Sequence, residues 1–370
     1  MAKRLLVINW RDIRNPEAGG AERYYHELFK RLARDGFSVT VLAHRFEGAA
    51  LQEDQEGIRV IRVGGRLLFN FAVIPFLLRH QREYDLVIED LNKLPFFTPL
   101  YVRRPRLHMV MHFFGSAIFQ EVFAAPAAYV YVMEKLIPLV YRGESFLAIS
   151  ESTKKEIAAF GASPDRVKVV EPGIDTEFFH PTRPKSATPL LVCVSRLKKY
   201  KNVQLLIEAL PEIRRRAGEV TLDLVGSGEY REALRSLADR VGASGSVRFL
   251  GYVDEETKRD LLSRATLFVN PSLKEGWGIN NIEANLCGTI SVSNDVPGLR
   301  DSVRHGQTGV LFRTNDREDF IDKVVDLLGN DEKRRTMEKQ AAVSDRGFDW
   351  DVMAGRMRSV VEAALRRGDE

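Results

Sequence analysis

Only two cysteines, Cys193 and Cys287, occur in 370 residues, and neither has a second ligand at metal-like spacing. That scarcity excludes a disulfide framework and a zinc knuckle, and makes a reducing compartment the default. Long apolar runs are missing too. The longest stretch free of Asp, Glu, Lys and Arg is 107–120, short of the roughly 20 residues a membrane span needs. The start, Met1-Ala2-Lys3-Arg4, leads into too short an apolar run for a signal-peptide core. A cytoplasmic protein is expected, peripheral at the inner face of the membrane if it meets one. Nor is charge of one sign in surplus: 55 Lys+Arg against 51 Asp+Glu leave +4. Both halves sit near balance, without the basic excess of a nucleic-acid binder. No internal repeat or low-complexity tract is visible.

What is present is ample core material, with 44% hydrophobic residues and a mean hydropathy of -0.21. At roughly 150 residues per domain the length allows two domains and a surplus. Short apolar runs alternate with amphipathic stretches from the start. Residues 4–9, 38–42, 85–89, 107–111 and 145–149 read as buried strands, and 21–34, 69–81 and 152–160 as helices. The segment 181–189 carries three prolines and no large apolar residue, the composition of a linker. A second cycle of strands and helices then begins at Leu190. The fold class expected is α/β, two Rossmann-like doubly wound domains facing across a cleft. The first domain is placed at 1–180, the linker at 181–189, the second domain at 190–346 and a terminal helix at 347–370. Trp350, Met353, Met357, Val360, Val361 and Ala364 form an apolar stripe on that helix, so it must pack on something.

Chemistry concentrates in Glu275-Gly-Trp-Gly278-Ile-Asn280-Asn281-Ile282-Glu283. A glycine-bearing loop follows a buried strand and leads into a helix, with Asn280 as the expected N-cap and Glu283 three residues on, a capping-box spacing. The loop brings Glu275 to the strand end, and the helix start offers the N–H groups of Asn281 and Ile282 to an anion. Taken singly, Glu283 reads more simply as a cap and Glu275 as a solvated loop charge. In the segment from Val194, Arg196 and Lys201 project two permanent cations from a strand end and the following turn, suited to phosphate. Gly19-Gly20 precedes the first helix, without the Gly-x-Gly-x-x-Gly spacing of a dinucleotide fingerprint. Gly226-Ser-Gly228 follows another strand, and Val253 closes Phe249-Leu-Gly251-Tyr252-Val253. His112 stands at the end of the strand 107–111.

Glu275 and Glu283, with seven residues between them, resemble the signature of the retaining family-four glycosyltransferases, the glycosyl transferases of group 1 with the GT-B fold. The resemblance covers most of the chain. It implies that Arg196 and Lys201 hold a donor diphosphate, that Gly19 and Gly20 let backbone approach the donor, and that the Gly226 loop and Val253 face the base. Glu275 is implied to orient the sugar, Glu283 to hold the ribose and His112 to contact the donor sugar, while Asn280, Asn281 and Ile282 complete the donor site. The terminal helix is implied to cross back onto the first domain. The donor implied is a nucleotide diphosphate sugar, UDP- or GDP-linked, with no metal or resident cofactor. Asp349-Trp-Asp351 reads as a helix-start charge pair favoured by the dipole.

This chain departs from the family at Gly288-Thr289-Ile290-Ser291, where Gly-x-Pro-Val is usual, and at Asn285-Leu286, which predicts altered packing behind the site. The acceptor expected is a glycan or lipid-linked molecule, or alternatively a soluble small molecule. Of 21 Phe, 16 precede residue 181. An aromatic-rich helical stretch at 67–78 beside Arg103, Arg104 and Arg106 also suits an anionic membrane surface, although ordinary core explains most of those side chains. Nucleic acid is excluded as a partner, and the sequence leaves the oligomeric state open. A nucleotide-sugar epimerase and a phosphorylase could share the architecture, but neither calls for this pair of carboxylates with the Arg/Lys pair; a non-catalytic sugar-nucleotide-binding subunit is the remaining alternative.

Overall fold

The computed structural model describes residues 2–91, 94–111, 113 and 124–367, with the backbone alone for 124–127. The chain forms two compact units, Met1–Gly173 with Trp350–Glu370, and Ile174–Asp349.

In the first unit the elements run β1 (Arg4–Ile8), α1 (Gly20–Arg34), β2 (Ser38–Arg45), β3 (Gln52–Gln55), β4 (Ile58–Gly65), α2 (Phe69–His80), β5 (Leu86–Asp90), β6 (Arg106–Val110), α3 (Ala124–Val140), β7 (Phe146–Ala148), α4 (Glu151–Ala159) and β8 (Val167–Val169). The sheet order is β3-β4-β2-β1-β5-β6-β7-β8. Leu5 to Ile8 are wholly buried, as a central parallel strand covered on both faces must be. Every pairing is parallel except β3 with β4. That hairpin departs from the all-parallel expectation. Its strand Gln52–Gln55 is polar throughout and gives no alternation to read. Its turn, Glu56-Gly57, has both φ angles positive, the geometry that suits a two-residue hairpin.

The second unit continues with β9 (Leu190–Val194), α5 (Val203–Ala217), β10 (Thr221–Val225), α6 (Arg231–Arg240), β11 (Val247–Gly251), α7 (Glu255–Arg264), β12 (Leu267–Asn270), α8 (Ile279–Leu286), β13 (Ser291–Asn294), α9 (Leu299–Ser302), β14 (Gly309–Phe312), α10 (Arg317–Gly329) and α11 (Asp331–Ser344). Its sheet, β11-β10-β9-β12-β13-β14, is parallel throughout. Strand order reverses direction at β9/β12, the switch point where ligands of open α/β sheets bind.

The segment read as a linker is docked on the second unit, and the chain passes between units earlier, at Gly173/Ile174. Thr182 Oγ1 donates to Asp260 Oδ1 at 2.6 Å, and Lys185 Nζ donates to Ala265 O at 2.8 Å and Gly288 O at 2.6 Å. Composition identified a loop there; it carries no information on which carbonyls the loop would meet. The last helix, α12 (Trp350–Arg367), buries Trp350, Met353, Met357, Val361 and Ala364 within the first unit. Asp351, in its first turn, takes Arg31 Nε at 2.6 Å.

Candidate active site

Three loops of the second unit lean on one another at the carboxyl ends of their strands. Ser195 N–H donates to Val225 O at 2.9 Å, Leu197 N–H to Ser227 O at 2.8 Å and Gly226 N–H to Gly251 O at 2.7 Å. This crowding fixes the glycines. Gly226 has φ +124°, and a Cβ there would stand 1.9 Å from Ser195 O; only glycine takes that backbone without strain.

Arg196 emerges just after β9, and Lys201 ends the 3-10 turn that follows. Glu275 lies in the loop after β12, across the switch point. Lys201 Nζ meets Glu275 Oε1 at 2.5 Å, with both side chains largely sheltered. Leu273 N–H donates to Tyr200 O at 3.0 Å, fastening the same two loops through the backbone. A close pair of opposite charges in a sheltered site is a strong contact. Here it presents one ammonium and one carboxylate, while the exposed Arg196 on the same loop as Lys201 donates through Nη2 to the Tyr200 hydroxyl at 3.1 Å.

The start of α8 differs from expectation. Gly278 is the N-cap, in the left-handed region at φ +49°, and the helix begins at Ile279. Asn280 is therefore inside the first turn, and its Nδ2 donates to Val194 O at 2.8 Å, fixing the helix to the end of β9. Asn281 N–H is taken by Gly278 O at 2.9 Å, so it is not open to an anion. The Asn281 side chain is fully buried between Ser302, to which it donates at 2.9 Å, and Ser293, from which it accepts at 3.0 Å. Ile282 is buried as well, which limits it to backbone contact.

Glu283 is no capping-box residue. Lys258 Nζ, from α7, stands 3.1 Å from Glu283 Oε1 and 3.0 Å from Oε2, and also 3.0 Å from Glu255 Oε2. Burial alone would lower the Lys258 pKa, but Glu283 and Glu255 outweigh it and hold the value above that of an ordinary lysine. Nothing in the residue pattern singles out Lys258; an i,i+3 pair with Glu255 is a common solvated arrangement. Val253 is half-buried, just ahead of Asp254, whose Oδ1 caps α7 by accepting Thr257 N–H at 2.7 Å. The family departures are absorbed by packing: Ile290 is buried, and Asn285 Nδ2 donates to Asp345 Oδ2 at 2.7 Å.

In the first unit, Gly19 is the extended N-cap of α1 and Gly20 its first residue. Glu22, missed by sequence reasoning although it sits three residues on from the cap, accepts Gly19 N–H at 2.7 Å. Nothing lies within 4 Å of a Cβ built on Gly20, so packing within the protein does not demand glycine there. His112 lies outside the described residues.

Comparisons with known proteins extend over most of the chain. A family model described as "Glycosyl transferases group 1" matches residues 175–343, and one described as "Glycosyltransferase Family 4" matches 18–178. Among curated proteins, a Mycobacterium tuberculosis glycogen synthase is 27% identical, with 98% of this chain and 95% of the relative covered. A GDP-mannose-dependent alpha-(1-6)-phosphatidylinositol monomannoside mannosyltransferase of the same organism is 26% identical over 100% and 99%. Among solved structures, a sucrose-phosphate synthase from Thermosynechococcus elongatus superposes with a TM-score of 0.81 at 20% identity, covering 99% of this chain and 100% of that one. Anabaena HepE in complex with UDP and glucose gives 0.73 at 19%, covering 98% and 100%.

Proposed function

From its membership of the group 1, family 4 glycosyltransferases, to which this chain with its GT-B fold belongs, we propose a retaining transfer of a hexose from a nucleotide diphosphate sugar to a glycan or lipid-linked acceptor. The observation that supports it best is the approach of Lys201 to Glu275 at the β9/β12 switch point, on the loop that also carries Arg196. A cation pair for phosphate and a carboxylate for hydroxyls stand together there, drawn from segments 74 residues apart.

As the bond from the anomeric carbon to the phosphate oxygen breaks, positive charge grows on the carbon, as in glycoside hydrolysis, and negative charge on the departing diphosphate. Arg196 and Lys201 are aimed at that growing charge, a preorganised stabilisation. Glu275 exchanges its bond from Lys201 for sugar hydroxyls. Glu283, held by Lys258, accepts from the ribose, and the Gly226 loop and Val253 face the base. Asn280 and Asn281 act by support, holding α8 against β9 and α9. Backbone at Gly19, Gly20 and Ile282 lies along the donor, and His112 steadies its sugar. The leaving phosphate takes the proton of the acceptor hydroxyl on the face it departs from, so the new bond keeps the anomeric configuration.

A stripe on α2 supports a membrane-borne acceptor. Phe71, Ile74 and Leu78 recur at helical spacing and are exposed, Phe71 to 67%, while Phe69, Val73 and Leu77 are buried in the core; Leu67, in the turn just before the helix, is 88% exposed. Arg66 and Arg79 are close to that stripe in sequence. Arg66 pairs with Glu17 at 2.8 Å, so Arg79, in the last turn, is the cation that an apolar helix of this kind would offer to an anionic bilayer.

The names and titles of relatives mention UDP and GDP, so a thermal-shift screen of UDP-, GDP- and ADP-sugars comes first; the matching donor raises the midpoint. The anomeric configuration of the product, read by NMR, then tests the proposal. A configuration equal to the donor's is expected, and an inverted product overturns it. Lys201→Ala and Glu275→Gln should each lower kcat/KM about 100-fold or more with the melting midpoint nearly unchanged.

A further inference from the structure

Tyr200 touches both of the cations assigned to the diphosphate, and neither the sequence motif nor the transfer chemistry gives it a task. Its hydroxyl accepts a hydrogen bond from Arg196 Nη2 at 3.1 Å. The Lys201 ammonium lies over its ring, 5.1 Å from the centroid. Its carbonyl takes Leu273 N–H, so the backbone of the same residue is fastened to the loop that carries Glu275. Among the described residues, Tyr200 is thus the meeting point of Arg196, Lys201 and the loop after β12.

We propose that Tyr200 is a positioning residue that presets the Arg196 guanidinium and the Lys201 ammonium as one anion clamp for a nucleoside diphosphate. The proposal rests on the reading that Arg196 and Lys201 hold that diphosphate. Arginine and lysine are rich in rotamers, and a ligand that must immobilise both from free states loses affinity. A ring face under the ammonium limits Lys201 through cation–π attraction, and the phenol oxygen limits Arg196. The guanidinium spends one of its five N–H donors on Tyr200, leaving others for phosphate oxygens. Aromatic side chains suit this work because they lose little entropy themselves, having only two χ angles.

The two contacts separate by substitution. Tyr200→Phe keeps the ring and removes the hydroxyl; Tyr200→Leu removes both. Isothermal titration of the full chain would use whichever of UDP, GDP or ADP stabilises the wild type most, alongside the corresponding monophosphate. The diphosphate Kd should rise about 5-fold in Tyr200→Phe and about 30-fold in Tyr200→Leu. The monophosphate Kd should change by less than about 2-fold, because a clamp set for two phosphates gives little to one. Loss of affinity for both nucleotides by the same factor, or for neither, overturns the proposal. Arg196→Ala and Lys201→Ala serve as the reference. If they leave diphosphate affinity intact, the parent reading fails whatever Tyr200 does; if they weaken it and Tyr200→Phe does not, the positioning role alone fails. Tyr200→Phe decides the matter even if Tyr200→Leu does not fold.

Discussion

Glycine answers two different demands in this chain, and single residues show the difference. Gly226 and Gly298 have φ +124° and +83°, and a Cβ on them would stand 1.9 Å from Ser195 O and 2.2 Å from Glu275 O respectively. Gly20 has no such neighbour and no left-handed backbone. Gly226→Ala should therefore destabilise the second unit by about 3 kcal/mol or more, from strain and overpacking together. Gly20→Ala should leave the urea midpoint unchanged or slightly raised, since alanine is the better helix former by about 1 kcal/mol at most, yet raise the donor KM. Urea denaturation beside donor kinetics checks both, and an unchanged KM for Gly20→Ala removes backbone approach at that residue. The sequence marked Gly20 and Gly226 alike, because a motif records residue type and order, and it did not mark Gly298 at all. Partners of charge were hidden in the same way. Glu275 and Glu283 stood out by spacing, while Lys258 reaches Glu283 from another helix, 25 residues away.

At the scale of elements, most strands and helices were legible because central strands are continuous apolar runs and the helices carry one apolar face. The starts of elements were less so. Asn280 looked like a cap by chemistry, but the left-handed turn at Gly278 begins α8 earlier and puts Asn280 to use against β9. Nor did the sequence disclose that β5, β6 and the loop between α3 and β7 share an ionic cluster. His108, wholly buried on β6, lies 3.2 Å from Glu89 on β5 and 3.2 Å from Glu144, while Tyr141 OH donates to Glu89 at 2.6 Å and Arg106 pairs with Glu144 at 2.7 Å. Burial would lower the His108 pKa, but its bonds to Glu144 and Glu89 raise it above the ordinary value. Burial likewise opposes the charged form of Glu144, yet His108 and Arg106 bring it down to about 2. A raised histidine stabilises below its unfolded pKa of about 6.5, and that contribution is lost as pH climbs through the folded value. The depressed Glu144 contributes above its unfolded pKa and loses its share as pH falls toward 2. Asp90, pushed by burial up to about 8, adds a decline that runs from its unfolded value of about 4 up to about 8 and levels off above it. First-unit stability should thus fall as pH rises from about 6 to 9. His108→Gln should be the less stable protein at pH 6, with the gap narrowing toward pH 9. Urea titrations across that range check it; a constant gap means His108 is buried uncharged.

For the molecule as a whole, the chain leaves its first unit at Gly173 and returns at Trp350. A Cβ on Gly173 would stand 2.4 Å from the Trp350 ring, so departure and return are packed together within the first unit. No helix among the described residues is long and apolar enough to cross a membrane. The proposed contact with a bilayer therefore rests on the surface stripe of α2. Vesicles containing anionic lipid should sediment the protein at low salt, and Phe71→Ser with Leu78→Ser should reduce the bound fraction at least about 5-fold, each side chain contributing by its buried apolar area. Equal binding by the double variant removes that face as the membrane contact. The sequence by itself determined the class of fold, the two cycles of strand and helix, and the motif that carries the family, because periodicity and spacing are local and survive translation into one dimension. Tertiary structure alone decided that Lys201 faces Glu275, that Lys258 holds Glu283, that Asn281 is buried support and that 181–189 docks on the second unit. Each is a meeting of groups distant in the chain, and a through-space charge or hydrogen bond leaves no periodic trace in the residues between.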